Sequence, residues 1–284
     1  LGNSVGPLSD PDLVAYARDT FKSEFAAHFD ADTQISRDGD KVVVRWTDKG
    51  NAADTGEERF DVLLAATVRR PNLDTIGVEN TSLILDERGA PRHDHMSMRA
   101  DTAGDGLSSI FVTGDAAIEL PLLHEAADEG RIAGENAARY PEVYRRARRT
   151  GLGVVFSDPQ IAIAGRGQGD LTKAGIDFAY GEVSFEDQGR ARVIGKDKGL
   201  LRVYAERETG ILLGAEMIGP AAEHIGHLLA WTIESRLTVI ETLQRPFYHP
   251  VLEEGLRTAL RNLAAELEFG PSPPLRCIDC GPGG

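Results

Sequence analysis

The segment from Gly151 to Phe269 constrains the fold most, because short strand-like runs come first and two helix-like runs follow. The predicted strands are Gly153–Phe156, Phe178–Val183, Gly199–Ala205 and Gly210–Ile218. The predicted helices are Ala221–Ser235 and Pro250–Glu268. Consecutive strands followed by helices are typical of an α+β domain, in which helices cover an antiparallel sheet. The sequence therefore predicts one α+β domain over residues 151–269.

A different pattern precedes this domain. Asp10 can cap a helix and Pro11 suits its first position. An apolar stripe with a spacing of four follows, made of Leu13, Ala17, Phe21 and Phe25. Lys41–Trp46 and Phe60–Thr67 favour strands, the second of them buried, and Asn51–Glu58 favours a polar turn. Helix, strand, turn and strand are what we expect at the end of a doubly wound domain followed by a small β-meander.

The overall charge and composition exclude several classes of protein. The formal net charge of −14 argues against a nucleic-acid or anionic-membrane partner, because both bind basic surfaces. No apolar run approaches the roughly 18 residues needed to span a bilayer. Leu1–Pro7 has neither an initiator Met nor the features of a signal peptide, so we expect the chain to begin inside a longer protein. The only cysteines, Cys277 and Cys280, favour a reducing compartment, the cytoplasm.

A strand-like run over Ser108–Val112 leads into Gly114-Asp115. The carboxyl edge of a parallel sheet is where ligands of doubly wound folds bind. A glycine there lets a cofactor approach the backbone, and an aspartate can accept hydrogen bonds from ribityl or ribose hydroxyls. The helix predicted over Leu122–Gly134 would point its N-terminus at the same cleft and stabilise negative charge. Taken alone, the Gly-Asp pair is also explained by a plain turn.

A second motif places His249-Pro250 a little over one helical turn before Glu254. Pro250 suits the first turn of a helix, so we expect His249 at or just before the helix start. Histidine is suited to moving a proton near neutral pH, and a carboxylate partner fixes its tautomer and supports its cation. The alternative is that His249 only caps the helix and Glu254 is a solvated surface residue.

Together with Ala66–Asn72, these motifs resemble those of the flavoprotein disulfide reductases, the family of dihydrolipoamide dehydrogenase, glutathione reductase, mercuric reductase and soluble transhydrogenase. The resemblance runs from Leu8 to about Leu263. In that family an Ala-Thr-Gly-Arg-x-Pro-Asn stretch joins the nicotinamide domain to the flavin domain, and here Val68 takes the place of its glycine. The family's dimerisation-domain markers are similar to Phe156–Pro159, Gly189–Ala191 and Gly210–Ala215.

The resemblance implies two cofactor sites. Gly114 and Asp115 look like the Gly-Asp pair that binds FAD. The segment Leu122, Leu123 and His124 looks like the Leu-Ala-His segment under the flavin, whose reduced isoalloxazine ring carries negative charge. Val68 corresponds to a position where the family's backbone approaches the nicotinamide cofactor, although a β-branched residue tolerates neither positive φ nor close approach.

The family's His-Pro-Thr-x-x-Glu box is similar to the segment from His249 to Glu254, with Val251 in place of Thr. In the family this pair moves the proton of a thiol during dithiol–disulfide exchange with the enzyme's own cysteines, and each His serves the partner subunit's flavin. The resemblance therefore implies an FAD-dependent, dihydrolipoamide dehydrogenase-like oxidoreductase that passes electrons between a dithiol or disulfide and NAD(P). It implies a homodimer with His249 as general acid and base and Glu254 as its orienting partner. Mercuric reductases lack this His, which favours a dithiol or disulfide substrate such as dihydrolipoamide.

The implied fold class is α/β, from incomplete FAD- and NAD(P)-binding doubly wound domains, plus a C-terminal α+β dimerisation domain. Residues 1–78 are assigned to the remainder of the NAD(P)-binding domain and residues 79–150 to the C-terminal return segment of the FAD-binding domain. Residues 151–269 are assigned to the dimerisation domain and residues 270–284 to a flexible tail. The arginine-rich stretch Tyr140–Thr150 is interpreted as a solvated connector.

This sequence departs from the family in one further respect. It contains neither the Gly-x-Gly-x-x-Gly loop nor the Cys-x4-Cys redox pair of the family, and Cys277 and Cys280 follow the histidine box instead of lying upstream. We therefore expect the chain alone to be inactive, as a truncation or proteolytic product. Three interpretations of the two cysteines are open: a second redox centre, half of a zinc site, or ordinary thiols on a tail. The sequence shows no second pair of ligands that would complete a zinc site. A soluble transhydrogenase, another disulfide reductase and a non-catalytic dimerisation module remain alternatives.

Overall fold

A computed structural model describes residues 5–67, 71–104, 108–117 and 121–268. Contacts divide the chain into two compact units, one of residues 1–63 with 150–284 and one of residues 64–149. This division does not test the domain boundaries that the sequence suggests, and they stay predictions. Across the described ranges, no helix is both long and apolar enough to cross a membrane.

Helix α1 spans Pro11–Glu24 and begins as the sequence predicts. The Asp10 carboxylate accepts hydrogen bonds from the backbone N–H groups of Asp12 and Leu13, at 3.0 and 3.3 Å. The apolar stripe belongs to a buried cluster made of Leu8, Leu13, Ala17, Phe21, Ile161 and Ile218. Phe25, the last predicted member of the stripe, lies past the helix end and is exposed, so that part of the prediction is wrong.

The predicted β-meander is a three-stranded antiparallel sheet of β1 (Ala31–Asp38), β2 (Lys41–Asp48) and β3 (Thr55–Phe60), in that order. The predicted buried strand Phe60–Thr67 is wrong, because β3 ends at its first residue and the residues that follow are exposed. Since β3 is an edge strand of this sheet, the sheet offers no second neighbour that would bury its continuation.

The second unit contains the short strands β4 (His93–Asp94) and β5 (Arg99–Ala100) and the helix α2 (Leu123–Arg139). The predicted strand Ser108–Val112 is present only as extended backbone with a single β-bridge. Two backbone hydrogen bonds hold it to the segment that contains β5: Ala100 N–H donates to the Ile110 carbonyl at 2.9 Å, and Val112 N–H donates to the Met98 carbonyl at 2.8 Å. Because this segment makes only these few backbone bonds on one side, it does not form a regular strand and is a short extended segment.

The predicted α+β domain is a five-stranded antiparallel sheet with helices. Its strands are β6 (Leu152–Val155), β7 (Gln160–Gly165), β8 (Phe178–Ser184), β9 (Leu200–Glu206) and β10 (Leu212–Gly219). Its helices are α3 (Gln168–Lys173), α4 (Gly189–Val193), α5 (Ala222–Glu234), α6 (Val239–Leu243) and α7 (Glu254–Glu266). The strand order is β6-β7-β10-β9-β8. The four predicted strands are found within two residues of their expected bounds, whereas β7 was not predicted.

The two faces of this sheet are covered by different helices. Successive side chains on a strand point to opposite faces, and β9 shows the alternation clearly. Leu201 and Val203 belong to the main core, which also holds the buried residues of α5 and α7. Arg202 and Tyr204 face the other way and bond to Asp10, the capping residue of α1. Helix α1 therefore covers the face of the sheet opposite α5 and α7.

Helix α7 begins four residues later than the sequence predicts, at Glu254 instead of Pro250. A helix from Pro250 would use the Val251 carbonyl as the acceptor for the Gly255 N–H. That carbonyl instead accepts a hydrogen bond from Gln188 Nε2 at 2.7 Å, and Gly255 donates to Leu252 at 2.9 Å. A side chain from α4's N-terminal cap thus holds the preceding residues as a loop.

Candidate functional site

The predicted histidine–glutamate pair is assembled at the start of α7. His249 Nδ1 lies 2.9 Å from Glu254 Oε1. The other carboxylate oxygen, Glu254 Oε2, accepts the Val251 backbone N–H at 3.1 Å. The Glu254 side chain is 11% exposed and the His249 side chain is 48% exposed. The carboxylate is therefore fixed from two sides, while the imidazole keeps one edge open to solvent.

The packing of α7 on the sheet holds this pair in position. The buried face of the helix consists of Gly255, Leu256, Ala259, Leu260 and Leu263. A Cβ on Gly181 of β8 would lie 2.1 Å from the Ala259 carbonyl oxygen, so only glycine permits this close approach. Phe247, on the loop before the pair, packs against the same core. These contacts hold both ends of the segment that carries His249.

The second predicted site lies within the other unit, where Gly114 and Asp115 form a short 3-10 turn against the start of α2. Gly114 has φ +67°, and a Cβ there would lie 3.3 Å from the Ala126 Cβ. Asp115 is exposed. Leu122 is the N-terminal cap of α2 and makes no side-chain capping bond. The structure therefore brings the Gly-Asp turn next to the first turn of the helix, as the sequence predicts.

Leu123 and His124 stand at the first two positions of α2. Leu123 is 89% exposed, and the His124 imidazole is exposed with Nε2 3.7 Å from Glu125 Oε1. The first backbone N–H groups of a helix have no partner within it and carry partial positive charge. This end of α2 is thus suited to an electron-rich ligand group.

Sequence reasoning missed Glu129, which organises the Gly-Asp turn. Its Oε2 accepts the Gly114 backbone N–H at 2.6 Å, and the residue is 2% exposed. The available signal was the spacing of three acids, Glu125, Asp128 and Glu129, on one side of α2. All three are buried, although acidic residues on a helix are ordinarily solvated.

Most of Tyr140–Thr150 is exposed, in keeping with a solvated connector, but the interpretation is wrong for Arg148. Arg148 is 16% exposed and its guanidinium bonds to Glu125 at 2.7 Å and to Glu129 at 3.0 Å. Burial opposes the charge of Arg148, but the hydrogen bonds and charges of Glu129 and Glu125 raise its pKa above the ordinary value. The negative charges of Glu125 and Glu129 compensate the positive charge of Arg148. These ion pairs hold the segment against α2.

A buried polar cluster that the sequence did not predict joins α1 to the sheet. Arg202 Nη1 donates to both oxygens of Asp10, at 2.8 and 2.9 Å. The Tyr204 hydroxyl lies 3.0 Å from both Asp10 Oδ2 and Glu216 Oε2. Burial, and the charges of Glu216 and Asp10 beside it, raise the pKa of Tyr204 well above its ordinary value. The phenol therefore stays neutral between two carboxylates.

Three of the predicted positions, Val68, Cys277 and Cys280, lie outside the described residues. The expected nicotinamide contact and the proposed roles of the cysteine pair stay predictions for that reason. Within the part of the chain that the structure describes, no group of three or more His, Cys, Asp and Glu side chains could hold a metal ion.

The chain is similar in sequence to known proteins. The family model described as pyridine nucleotide-disulphide oxidoreductase, dimerisation domain, matches residues 152–260. Dihydrolipoyl dehydrogenase of Haloferax volcanii is 32% identical over 222 residues, which are 78% of this chain and 44% of the relative. Dihydrolipoyl dehydrogenase of Thermus scotoductus is 32% identical over 203 residues, which are 72% of this chain and 42% of the relative. The chain thus spans less than half the length of these relatives.

Solved structures show the same fold. LpdA from Mycobacterium tuberculosis superposes with a TM-score of 0.72 at 24% identity, over 90% of this chain and 54% of that protein. The HOCl-induced flavoprotein disulfide reductase RclA from Escherichia coli has a TM-score of 0.70 at 20% identity, over 93% of this chain and 57% of that protein. The predicted fold class is confirmed by these likenesses. The chain belongs to the pyridine nucleotide-disulfide oxidoreductase family, and residues 152–260 are that family's dimerisation domain.

Proposed function

We propose that this chain is part of an FAD-dependent, dihydrolipoamide dehydrogenase-like oxidoreductase that passes electrons between a dithiol or disulfide and NAD(P). The observation that carries the proposal is the 2.9 Å contact between His249 Nδ1 and Glu254 Oε1, in a domain that matches the family's dimerisation domain. The curated relatives named dihydrolipoyl dehydrogenase support the choice of a dithiol substrate.

His249 is the proposed catalytic acid and base. Because Nδ1 lies against the Glu254 carboxylate, a neutral imidazole donates its Nδ1–H there and leaves Nε2 as the acceptor. Nε2 takes the proton from a substrate thiol, and the thiolate attacks a disulfide, so that one S–S bond forms as the other breaks. The departing thiolate then takes the proton back from the imidazolium. Glu254 stabilises the imidazolium between these two transfers.

We infer that the Gly114–Asp115 turn and the start of α2 hold FAD. The residues present fit such a group: Gly114 has φ +67° and no side chain to obstruct a ligand, and the Asp115 carboxylate is exposed and can accept hydrogen bonds from sugar-like hydroxyls. The N–H groups of Leu122, Leu123 and His124 are placed to face an electron-rich ring. When bound, FAD supplies the two-electron transfer between the dithiol couple and NAD(P).

We infer that the protein acts as a homodimer in which His249 serves the flavin of a partner subunit. The match of residues 152–260 to a dimerisation domain supports this arrangement, and the half-exposed imidazole is open to a neighbouring chain. The net charge of −14 supports the absence of nucleic-acid and anionic-membrane partners. The low cysteine content supports a cytoplasmic location.

The test is the rate of NADH formation from dihydrolipoamide and NAD⁺ by the FAD-containing full-length enzyme, because this chain alone lacks the redox cysteine pair and is expected to be inactive. We expect His249→Ala to lower this rate by roughly 10²–10⁴-fold, the usual contribution of a general acid–base group, without changing flavin content. The matched control is His227→Ala, since His227 is an exposed α5 residue whose Nδ1 lies 2.7 Å from the Glu223 carbonyl. The control should keep full activity.

An unchanged rate in His249→Ala would overturn the assignment. A wild-type protein that is dimeric by light scattering but takes up no FAD would instead favour the alternative of a non-catalytic dimerisation module. Reduction of NAD(P)⁺ by the other nicotinamide coenzyme, with no reaction of dihydrolipoamide, would favour a transhydrogenase.

A further inference from the structure

The segment Tyr144–Arg149, called the arginine strap below, runs back along α2 and is bonded to it repeatedly. The Asn136 side chain donates to the Tyr144 carbonyl and accepts the Tyr144 N–H, both at 2.9 Å. Arg146 pairs with Glu135. Arg149 Nη2 lies 3.4 Å from Asp128 Oδ1, but its own side chain is 68% exposed. Arg148 is the member of the strap that bonds to Glu125 and Glu129.

Arg148 and Gly114 bind the same carboxylate from opposite sides. Arg148 Nη1 donates to Glu129 Oε1 at 3.0 Å, and the Gly114 N–H donates to Glu129 Oε2 at 2.6 Å. A second nitrogen of Arg148, Nη2, holds Glu125 at 2.7 Å, which fixes the orientation of the guanidinium plane. The Glu129 carboxylate therefore connects the strap directly to the Gly-Asp turn.

A carboxylate that is almost fully buried needs a compensating cation to remain ionised. Arg148 supplies that charge within hydrogen-bonding distance of Glu129. Without Arg148, the buried Glu129 carboxylate loses its charged hydrogen-bond partner, and its bond to the Gly114 N–H is no longer held in place from the other oxygen. A charge-assisted hydrogen bond is roughly twice as strong as a neutral one. The left-handed backbone of Gly114 would then be held less firmly.

We propose that Arg148 is a positioning residue for the Gly114–Asp115 turn, acting through the Glu129 carboxylate to set where the Asp115 carboxylate meets its ligand. The inference rests on the proposed function for the identity of that ligand, FAD. The coupling itself rests only on contacts within the unit of residues 64–149.

The coupling is tested by hydrogen exchange of the Gly114 amide, measured by NMR on the full chain. We expect Arg148→Ala to accelerate this exchange about tenfold or more, because the N–H loses a charged acceptor. The amides of Ile132 and Ala133, in the middle of α2, should keep their wild-type protection. Arg149→Ala is the matched control, and it should leave Gly114 exchange unchanged.

Arg148→Gln is a milder second variant that removes the charge and keeps most of the side-chain stem, and the same acceleration is expected. Arg148→Lys restores a cation and should recover part of the protection. Unchanged Gly114 exchange in a folded Arg148→Ala or Arg148→Gln protein would overturn the proposal. An equal acceleration at Gly114 and throughout α2 would also overturn it, because it would show a general structural role.

The FAD affinity of the full-length enzyme, measured by the change in flavin fluorescence, separates this inference from the proposed function. If the wild type binds FAD and Arg148→Ala binds it at least about tenfold more weakly, the positioning role is supported. Equal affinity of the two proteins would contradict the positioning role. If the wild type binds no FAD, the proposed function fails at this turn, and the Gly114 exchange still decides the coupling.

Discussion

His249 Nδ1 lies 2.9 Å from Glu254 Oε1, and the second oxygen of the same carboxylate is held by the Val251 N–H at 3.1 Å. The backbone bond prevents the carboxylate from rotating away from the imidazole. We therefore propose that Glu254 orients His249 and favours the tautomer with a proton on Nδ1, from the first residue of a helix that is packed on the sheet.

In the full-length enzyme, Glu254→Gln should slow dihydrolipoamide-dependent NADH formation without reducing flavin content. An amide keeps the size of the side chain but cannot stabilise the imidazolium. Loss of a charge-assisted hydrogen bond of about 1.5–3 kcal/mol corresponds to a rate reduced by roughly 10- to 150-fold. The turnover number under saturating substrate is the measurement. Glu253→Gln, at the preceding residue, is the control, and equal rates in the two variants would contradict the role of Glu254.

Gly181→Ala should destabilise the protein, because the new methyl group would lie 2.1 Å from the Ala259 carbonyl oxygen and 2.4 Å from the Leu263 nitrogen. Both atoms belong to the α7 backbone and cannot move without displacing the helix. Overpacking of this kind costs about 1–3 kcal/mol or more of unfolding free energy, measured by urea denaturation.

The matched control is Gly189→Ala in α4, where a Cβ would meet no atom within 4 Å. This change should be neutral or stabilise the protein by up to about 1 kcal/mol. If Gly181→Ala proves as stable as Gly189→Ala, the close packing of α7 on β8 would be refuted.

Local features of the sequence predicted the elements that depend on neighbours in the chain. Asp10 and Pro11 located the start of α1, because a cap bonds to residues two and three positions away. The spacing of His249 and Glu254 likewise predicted their contact. The start of α7 was misplaced because Gln188, which is 63 positions away, takes the Val251 carbonyl.

Features that depend on distant residues were not predictable in this way. Arg202 pairs with Asp10 across 192 positions, and nothing near either residue indicates the pairing. The arginine run in Tyr140–Thr150 predicts a solvated segment, because a run of charges does not by itself show that one of its members pairs with buried acids of α2. For Arg148 the compensating Glu125 lies 23 positions earlier, on a different element.

Arg202→Met should destabilise the protein strongly. Arg202 is the cation of the buried cluster, and its removal leaves Asp10 buried without its charged partner, while Glu182 and Asp12 also lose a contact. Breaking a buried ion pair from one side costs about 3–5 kcal/mol of unfolding free energy. Urea denaturation at constant pH measures this difference.

Arg207→Met is the control for this comparison, because Arg207 is 45% exposed and pairs with Asp177 at 3.3 Å on the surface. Its removal should cost no more than about 1 kcal/mol. A cost for Arg202→Met as small as that of Arg207→Met would show that the cluster contributes little to holding α1 against the sheet.

Glu241→Ala should destabilise the protein in a pH-dependent way. Glu241 closes the capping box of α6, accepting the Thr238 N–H at 2.8 Å and the Thr238 hydroxyl at 2.9 Å. The backbone bond, then the hydroxyl bond, lower the pKa of Glu241 below its ordinary value of 4.5. Since the folded pKa is the lower one, the stabilisation is complete above that ordinary value and is lost as the pH falls through the folded pKa.

The difference in unfolding free energy between the wild type and Glu241→Ala should therefore be constant near neutral pH and shrink under acid conditions below about pH 4.5. Repeating the substitution in a Thr238→Ala background supplies the control. There the hydroxyl bond is gone and only the backbone bond lowers the pKa, so the pH dependence should be smaller. A difference that grows as the pH falls would have the wrong sign, and it would mean that the carboxylate form of Glu241 is not the form that the folded α6 prefers.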